Sequence, residues 1–239
     1  MARGVLLNNV DHRDLRVITA RSADYGDDVM CALTFPAEFR SVQAHYPIVF
    51  RKGADGKFQP LALFGFRERQ NLFLGAQGWE ATYVPLAIQR QPFLIGTGSG
   101  QLLMHVDLDS PRISHTIGEP LFREHGGTTD FLERMNSVLL AIHEGLERTP
   151  AFMGALLEHN LLESFVLDVQ LEDGSQNRLA GFYTIHEERL AALDGKALEA
   201  LNRAGHLQPS YLAIASLSNF RDLIERQNRL AAGTNAGHH

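Results

Sequence analysis

The sequence carries a single cysteine, Cys31, in 239 residues. One thiol makes neither an intramolecular disulfide nor a cysteine zinc site, so the fold stands on packing. Basic charge is also scarce: 22 Lys and Arg against 28 Asp and Glu leave a formal net charge of -6. A nucleic-acid binder needs a basic stripe to neutralise phosphates, and that class is set aside. Long apolar runs are missing as well. Val5-Leu6-Leu7 gives way at once to Asn8, Asn9 and Asp11, whereas a secretory signal needs an apolar stretch of roughly 7–15 residues. No window approaches the roughly 18 apolar residues of a membrane span. The least charged stretch, 206–220, is interrupted by Gln208, Pro209, Ser210 and Asn219. These absences predict a soluble, cytoplasmic protein without an integral membrane segment. Neither an internal repeat nor a low-complexity linker is present.

What is present has the balance of a globular protein, 44% hydrophobic and 21% charged. The first half reads as strands and turns. Val29–Leu33 and Pro47–Phe50 are short apolar runs, and Leu61–Phe66 returns after Asp55-Gly56, a pair that tolerates the positive φ of a hairpin turn. Asn71–Leu74 reads as another strand. Phe93–Ile95 and Leu102–Asp107 flank the glycine-rich segment Gly96–Gly100. Strands joined by short turns predict antiparallel pairing, because parallel pairing needs crossover helices. Beyond Gly126-Gly127-Thr128-Thr129, the residues Phe131, Leu132, Met135, Val138, Leu139, Ile142 and Leu146 mark one face of a long helix with Thr128 or Thr129 as N-cap. Thr149-Pro150 is expected to start a second helix. Leu162–Leu171 and Leu179–Ile185 read as strands around Glu172–Ser175, Glu187–Leu193 and Lys196–Arg203 as short helices, Tyr211–Ala215 as a buried strand, and Leu217–Leu230 as a closing helix. The expectation is α+β: an antiparallel β-rich N-terminal half (1–124) and an α-rich half (125–232) that adds further strands, together one domain over 1–232. Residues 233–239 read as a disordered tail, and their closing histidines resemble the start of a tag.

The motifs that could carry chemistry are thin. Gly96–Gly100 precedes a strand, not the helix whose free N–H groups would cradle a phosphate, and it reads as a flexible turn. His105-Val106-Asp107 has the same-face spacing of two facial iron ligands, with His186 as a third and Arg189 as a grip for a carboxylate co-substrate. The plainer account is a surface histidine beside a turn aspartate. Cys31 sits in an apolar run and is expected to behave as a small hydrophobe with a raised pKa. Glu187-Glu188 suit the N-terminal end of a helix dipole, and His125-Gly126-Gly127 the turn before the long helix. Aromatic residues are more telling. Tyr46, Phe50, Phe64, Phe66, Phe73, Trp79, Tyr83 and Phe93 crowd the β-rich half, beside Arg67, Arg69 and Arg90. Core packing accounts for most of them, while Phe66, Arg67, Trp79, Tyr83 and Arg90 form a candidate binding face for a peptide or protein.

The same residues carry a resemblance. Tyr46–Phe50, Leu61–Phe66, Asn71–Leu74, Gly78-Trp79, Tyr83-Val84-Pro85 with Ile88, Arg90, Pro92 and Phe93, and Gly118–Phe122 resemble successive blocks of the SapC family. Gly181–Leu190 is similar too, although the family more often has an acidic residue at the place of His186, as are Leu217, Asn219 and Arg221. The resemblance implies a bacterial protein associated with surface-layer loci, with relatives among genes for outer-membrane receptors, halogenase-like flavoproteins and cupin-like oxygenases. It implies no catalytic residue set and no cofactor. Some relatives carry a peptide-permease label, which a chain without an apolar span does not fit.

Three functions are therefore expected, in descending order. The first is a non-catalytic accessory protein of a surface or uptake system that recognises a peptide or protein partner. The second is a non-haem iron oxygenase using His105 and Asp107. The third is a structural subunit, and homo-oligomerisation is compatible with any of them.

Overall fold

The computed structural model describes residues 4–98, 101–170, 174 and 176–236. In chain order its strands are β1 (Gly4–Leu6), β2 (Arg16–Val17), β3 (Cys31–Leu33), β4 (Ile48–Lys52), β5 (Phe58–Leu63), β6 (Leu74–Gly75), β7 (Gly78–Trp79), β8 (Phe93–Gly98), β9 (Gln101–Asp107), β10 (Ile113–Ser114), β11 (Glu119–Pro120), β12 (Leu162–Gln170) and β13 (Gln176–Ile185). The helices are α1 (Phe39–Val42), α2 (Leu86–Gln89), α3 (Asp130–Glu158), α4 (Glu187–Ala191), α5 (Gly195–Arg203), α6 (Leu207–Ser216) and α7 (Phe220–Ala236). The class is α+β with antiparallel pairing. Residues 99–100 of the expected glycine-rich turn, most of the expected turn at 172–175, and His238 and His239 lie outside the described residues, while Gly96–Gly98 belong to β8.

Contacts gather into two compact units that do not follow the chain's β-rich and α-rich halves. The first comprises 1–27, 74–80 and 86–144. It contains the sheets β1-β9-β8 and β10-β2-β11 and the hairpin β6-β7. Its core joins Leu15, Val17, Phe93, Val106 and Leu121 to Phe131, Leu132, Met135 and Leu139 of α3. That is the apolar face expected from the sequence period, and Thr129 Oγ1 caps it by accepting the Leu132 N–H at 3.3 Å.

The second unit comprises 28–73, 81–85 and 145–239. Its sheet runs β12-β13-β4-β5-β3, so the late strands do rejoin the early ones. Pairing of Tyr183 with Phe50 closes that seam. The rings of Phe39 and Phe152 meet edge-on at 5.9 Å, and Tyr46 contacts Phe64 and Phe73 in the same way.

Three local expectations are corrected. Thr149-Pro150 does not open a helix, since Pro150 lies inside α3. Its missing N–H and ring clash cost about 3 kcal/mol in a helix interior. Burial of Phe152, Met153 and Leu156 outweighs this, and the Thr149 hydroxyl donates to the Gly145 carbonyl at 2.8 Å. Tyr211–Ala215 is helical, within α6. A short apolar run reads equally as strand or helix, and Pro209 suits a first turn whose N–H groups lack partners. Small buried Ser210, Ala213 and Ser216 face inward, and Ser216 Oγ accepts the Ile48 N–H at 2.8 Å. Asn71–Leu74 keeps only its last residue in a strand.

Two predictions follow from the second unit's packing. A Cβ on Gly145 would stand 2.2 Å from Cδ2 of the buried Phe35. Gly145→Ala should therefore lower the unfolding free energy in urea by about 1–3 kcal/mol despite alanine's better helix propensity. His206 packs edge-on against Phe152 at 5.7 Å, and burial lowers its pKa from 6.5. The folded state thus favours neutral imidazole. Stability from this site is complete above pH 6.5, the ordinary histidine value, and declines as the pH falls towards the lowered one. His206→Gln should flatten that part of the melting-temperature profile, and an unchanged slope would remove His206 as its source.

Candidate functional site

The residues nominated from the sequence are divided between the two units. Trp79 and Arg90 belong to the first unit, and Phe66, Arg67 and Tyr83 to the second. Phe66 is a core residue at 5% exposure, so its ring offers nothing to a partner. Strand β5 ends at Leu63, and the backbone N–H of Phe66 is held by Gln70 Oε1 at 3.0 Å. Tyr83 is half-buried. Its hydroxyl donates to Glu38 Oε1 at 2.8 Å, and its carbonyl accepts the Tyr46 hydroxyl. Burial, followed by the Glu38 carboxylate, pushes the phenol well above its ordinary pKa. The Arg90 guanidinium turns back onto the Phe93 carbonyl at 2.7 Å, and burial lowers its pKa. Arg67 is exposed, and Trp79, like Tyr83 and Arg90, is partly exposed. Of the crowded aromatics, Tyr46, Phe50, Phe64, Phe66, Phe73 and Phe93 are core; Phe66 was read as part of a binding face because ring size alone does not distinguish the two faces of a strand.

The iron-site reading fails on geometry. Among the described residues, no three His, Cys, Asp or Glu side chains gather so as to hold an ion. His105 packs its ring over Gly96 of the neighbouring strand, where a Cβ would meet it at 2.6 Å, and Asp107 Oδ1 caps the following turn by accepting the Asp109 N–H. His186 is the N-cap of α4, Nδ1 accepting the Arg189 N–H, and its Nε2 stands 3.9 Å from Glu163. Burial raises the Cys31 thiol pKa, so little nucleophilic thiolate forms at neutral pH.

Two features of the first unit escaped the sequence pattern. The first is a buried ion cluster. Asp27 is fully buried and receives Arg112 Nη2 at 2.5 Å, Arg21 Nη1 at 3.2 Å and the Ser22 N–H at 3.0 Å. Arg112, itself 1% exposed, also donates to the carbonyls of Ile18 and Ala20, and Arg21 donates to that of Ile88. Burial, then repulsion from Arg112, lowers the Arg21 pKa, while Asp27 opposes the shift. An arginine in a turn after Pro111 looks like a surface residue, and nothing local in the sequence links it to Asp27.

The second is an open groove of about 580 Å³. Its walls come from the end of β1, the start of β9 and the first turns of α3, with Leu6, Leu102, Met104, Phe122 and Leu132 supplying apolar surface. Leu6 and Leu102 are 47% and 40% exposed. The rim holds amides and hydroxyls, and its one carboxylate, Glu133, accepts the Thr128 hydroxyl at 2.9 Å. A signal for it existed in Val5-Leu6-Leu7 and Leu102-Leu103-Met104, two apolar runs in which Leu6 and Leu102 stay exposed while Val5, Leu7 and Met104 pack against the core.

Comparison with known proteins gives one match. The family model described as SapC covers residues 7–223. No curated protein and no solved structure matches the chain.

Removing one partner from a buried ion cluster leaves the other charge uncompensated, at about 3–5 kcal/mol. Asp27→Asn should reduce the unfolding free energy by about that amount in a denaturant titration. Asp28→Asn, which breaks only the contact to the exposed Arg69, should change it by about 0–1 kcal/mol. Equal effects would contradict the structural role given to Asp27.

Proposed function

The chain belongs to the SapC family, and we propose that it acts by binding: a non-catalytic accessory protein of a bacterial surface or uptake system, working in the cytoplasm, that recognises a peptide segment of a protein partner. The observation that carries this reading is the groove of the first unit. Half-exposed leucines in a concave setting are unusual on a monomer's surface and mark places where another molecule docks. Its occupant in this reading is an extended partner segment with apolar side chains. Leu6, Leu102 and Met104 would meet those side chains, and the amides of Asn9 and Asn136 on the rim suit the peptide backbone. A rim with one carboxylate, on a chain of net charge -6, favours a neutral or basic segment over an acidic one. Arg67 and Trp79 keep surface of their own and enter the proposal as secondary contacts, whereas Phe66, Tyr83 and Arg90 serve the fold. No helix among the described residues is long and apolar enough to cross a membrane, which agrees with a partner met outside the bilayer.

The test is selection of random twelve-residue peptides on the full-length protein, with counter-selection on Leu102→Asp. Enriched peptides should share apolar side chains at alternating positions, and the variant should weaken their binding about tenfold or more, a loss of about 1.4 kcal/mol, with its melting temperature unchanged. Enrichment of peptides that bind wild type and variant alike would place recognition elsewhere. Failure to enrich any sequence would end the peptide reading.

A further inference from the structure

The first unit also holds a cavity smaller than the groove and different from it in chemistry. It measures about 270 Å³, a little below the usual range for ligand pockets, so it has room for a small molecule but not for a nucleotide. One wall is apolar, made by Val17 of β2 with Phe131 and Met135 of α3, all buried. Three guanidiniums also line it: Arg21 from the loop after β2, Arg112 from the turn before β10, and Arg134 from the first turns of α3. They are opposed by two carboxylates, Asp27 behind Arg21 and Arg112, and Glu119 on the cavity wall. Positive charge is therefore in excess.

The three arginines differ in what already occupies them. Arg112 has both Nη atoms engaged by Asp27 and by the Ile18 and Ala20 carbonyls, yet its buried Nε has no hydrogen-bond partner. Arg21 shares the same carboxylate. The Arg134 side chain is exposed and makes no ion pair or hydrogen bond among the described residues. The planar fork of a guanidinium matches a carboxylate through two parallel hydrogen bonds. The side-chain amide of Gln91 adds another polar group to the lining.

We infer that this cavity is a binding site for a small organic carboxylate, whose acid group pairs with Arg134 at the rim of the arginine cluster and whose apolar body lies on Val17, Phe131 and Met135. Charge and shape each contribute. The surplus cation calls for an anion, and the apolar wall favours one with a hydrocarbon body over a fully hydrated ion. Arg21 and Arg112 hold the electropositive floor in place through Asp27, so the site is formed before the ligand arrives. Arg134 makes the contact that only a ligand completes.

The experiment is calorimetric titration of the full-length protein with three probes: 3-phenylpropanoate, its neutral amide 3-phenylpropanamide, and inorganic phosphate. The acid should bind saturably at one equivalent and about tenfold more tightly than the amide, as expected for a charge-assisted bidentate pair. Arg134→Gln, an exposed change, should leave the melting temperature unaltered, weaken the acid by about the same factor and leave the amide unaffected. Arg134→Lys should restore only part of the loss, because a point charge replaces the fork. Leu102→Asp should bind the acid normally, which keeps this site separate from the groove. Equal binding of acid and amide, an unaffected Arg134→Gln, or no saturable heat would each overturn the inference. Tighter binding of phosphate than of the acid would overturn the carboxylate class.

Discussion

A carboxylate with no access to water, that of Asp27, is the constraint around which the first unit is arranged. Two guanidiniums and a backbone N–H converge on it, and those guanidiniums also reach the carbonyls of Ile18, Ala20 and Ile88. Separate stretches of chain are thus pinned to a single point. Such a cluster gains little over an apolar core of equal volume, but it tolerates the loss of a member poorly. Its contribution is position. It sets where β2 leads into the following loop and where Arg112 enters, and so it shapes the cavity that both arginines line.

The sequence was legible wherever periodicity and turn chemistry were local. The apolar face of α3, its threonine cap, the Asp55-Gly56 hairpin and the return of β13 to β4 all follow from patterns a few residues long, or from the economy of a shared sheet. Errors arose where tertiary packing overrode local preference. Pro150 remains inside a helix because Phe152, Met153 and Leu156 are buried just beyond it. Tyr211–Ala215 carries no period long enough to tell helix from strand, and the small residues that settle the matter do so only through packing with distant elements, among them α1, β4 and β13. The ion cluster was illegible because Asp27 and Arg112 lie far apart in sequence and each, alone, reads as a surface charge.

The side chains that first invited a chemical or binding reading have structural tasks. His186 caps a helix, His105 covers a glycine in the neighbouring strand, Glu187 and Glu188 occupy a helix's first turn, and the Tyr83 hydroxyl is bound to a buried glutamate. Two of the surfaces left open are instead an apolar groove with one carboxylate on its rim and an arginine-lined cavity, both in the first unit. They differ in the company proposed for them: a neutral or basic peptide segment for one, a single acid group for the other. The two can therefore be disabled separately.

The seam between β4 and β13 also bears on how the chain emerges during synthesis. β3, β4 and β5 are complete early, yet β4 meets its other neighbour only when β13 is made, near the end of the chain. Until then the nascent polypeptide displays an unpaired apolar edge, Ile48-Val49-Phe50, that any passing strand could template upon. The order of the strands in the sheet, unlike their order in the chain, thus leaves that edge uncovered until β13 exists to pair with it.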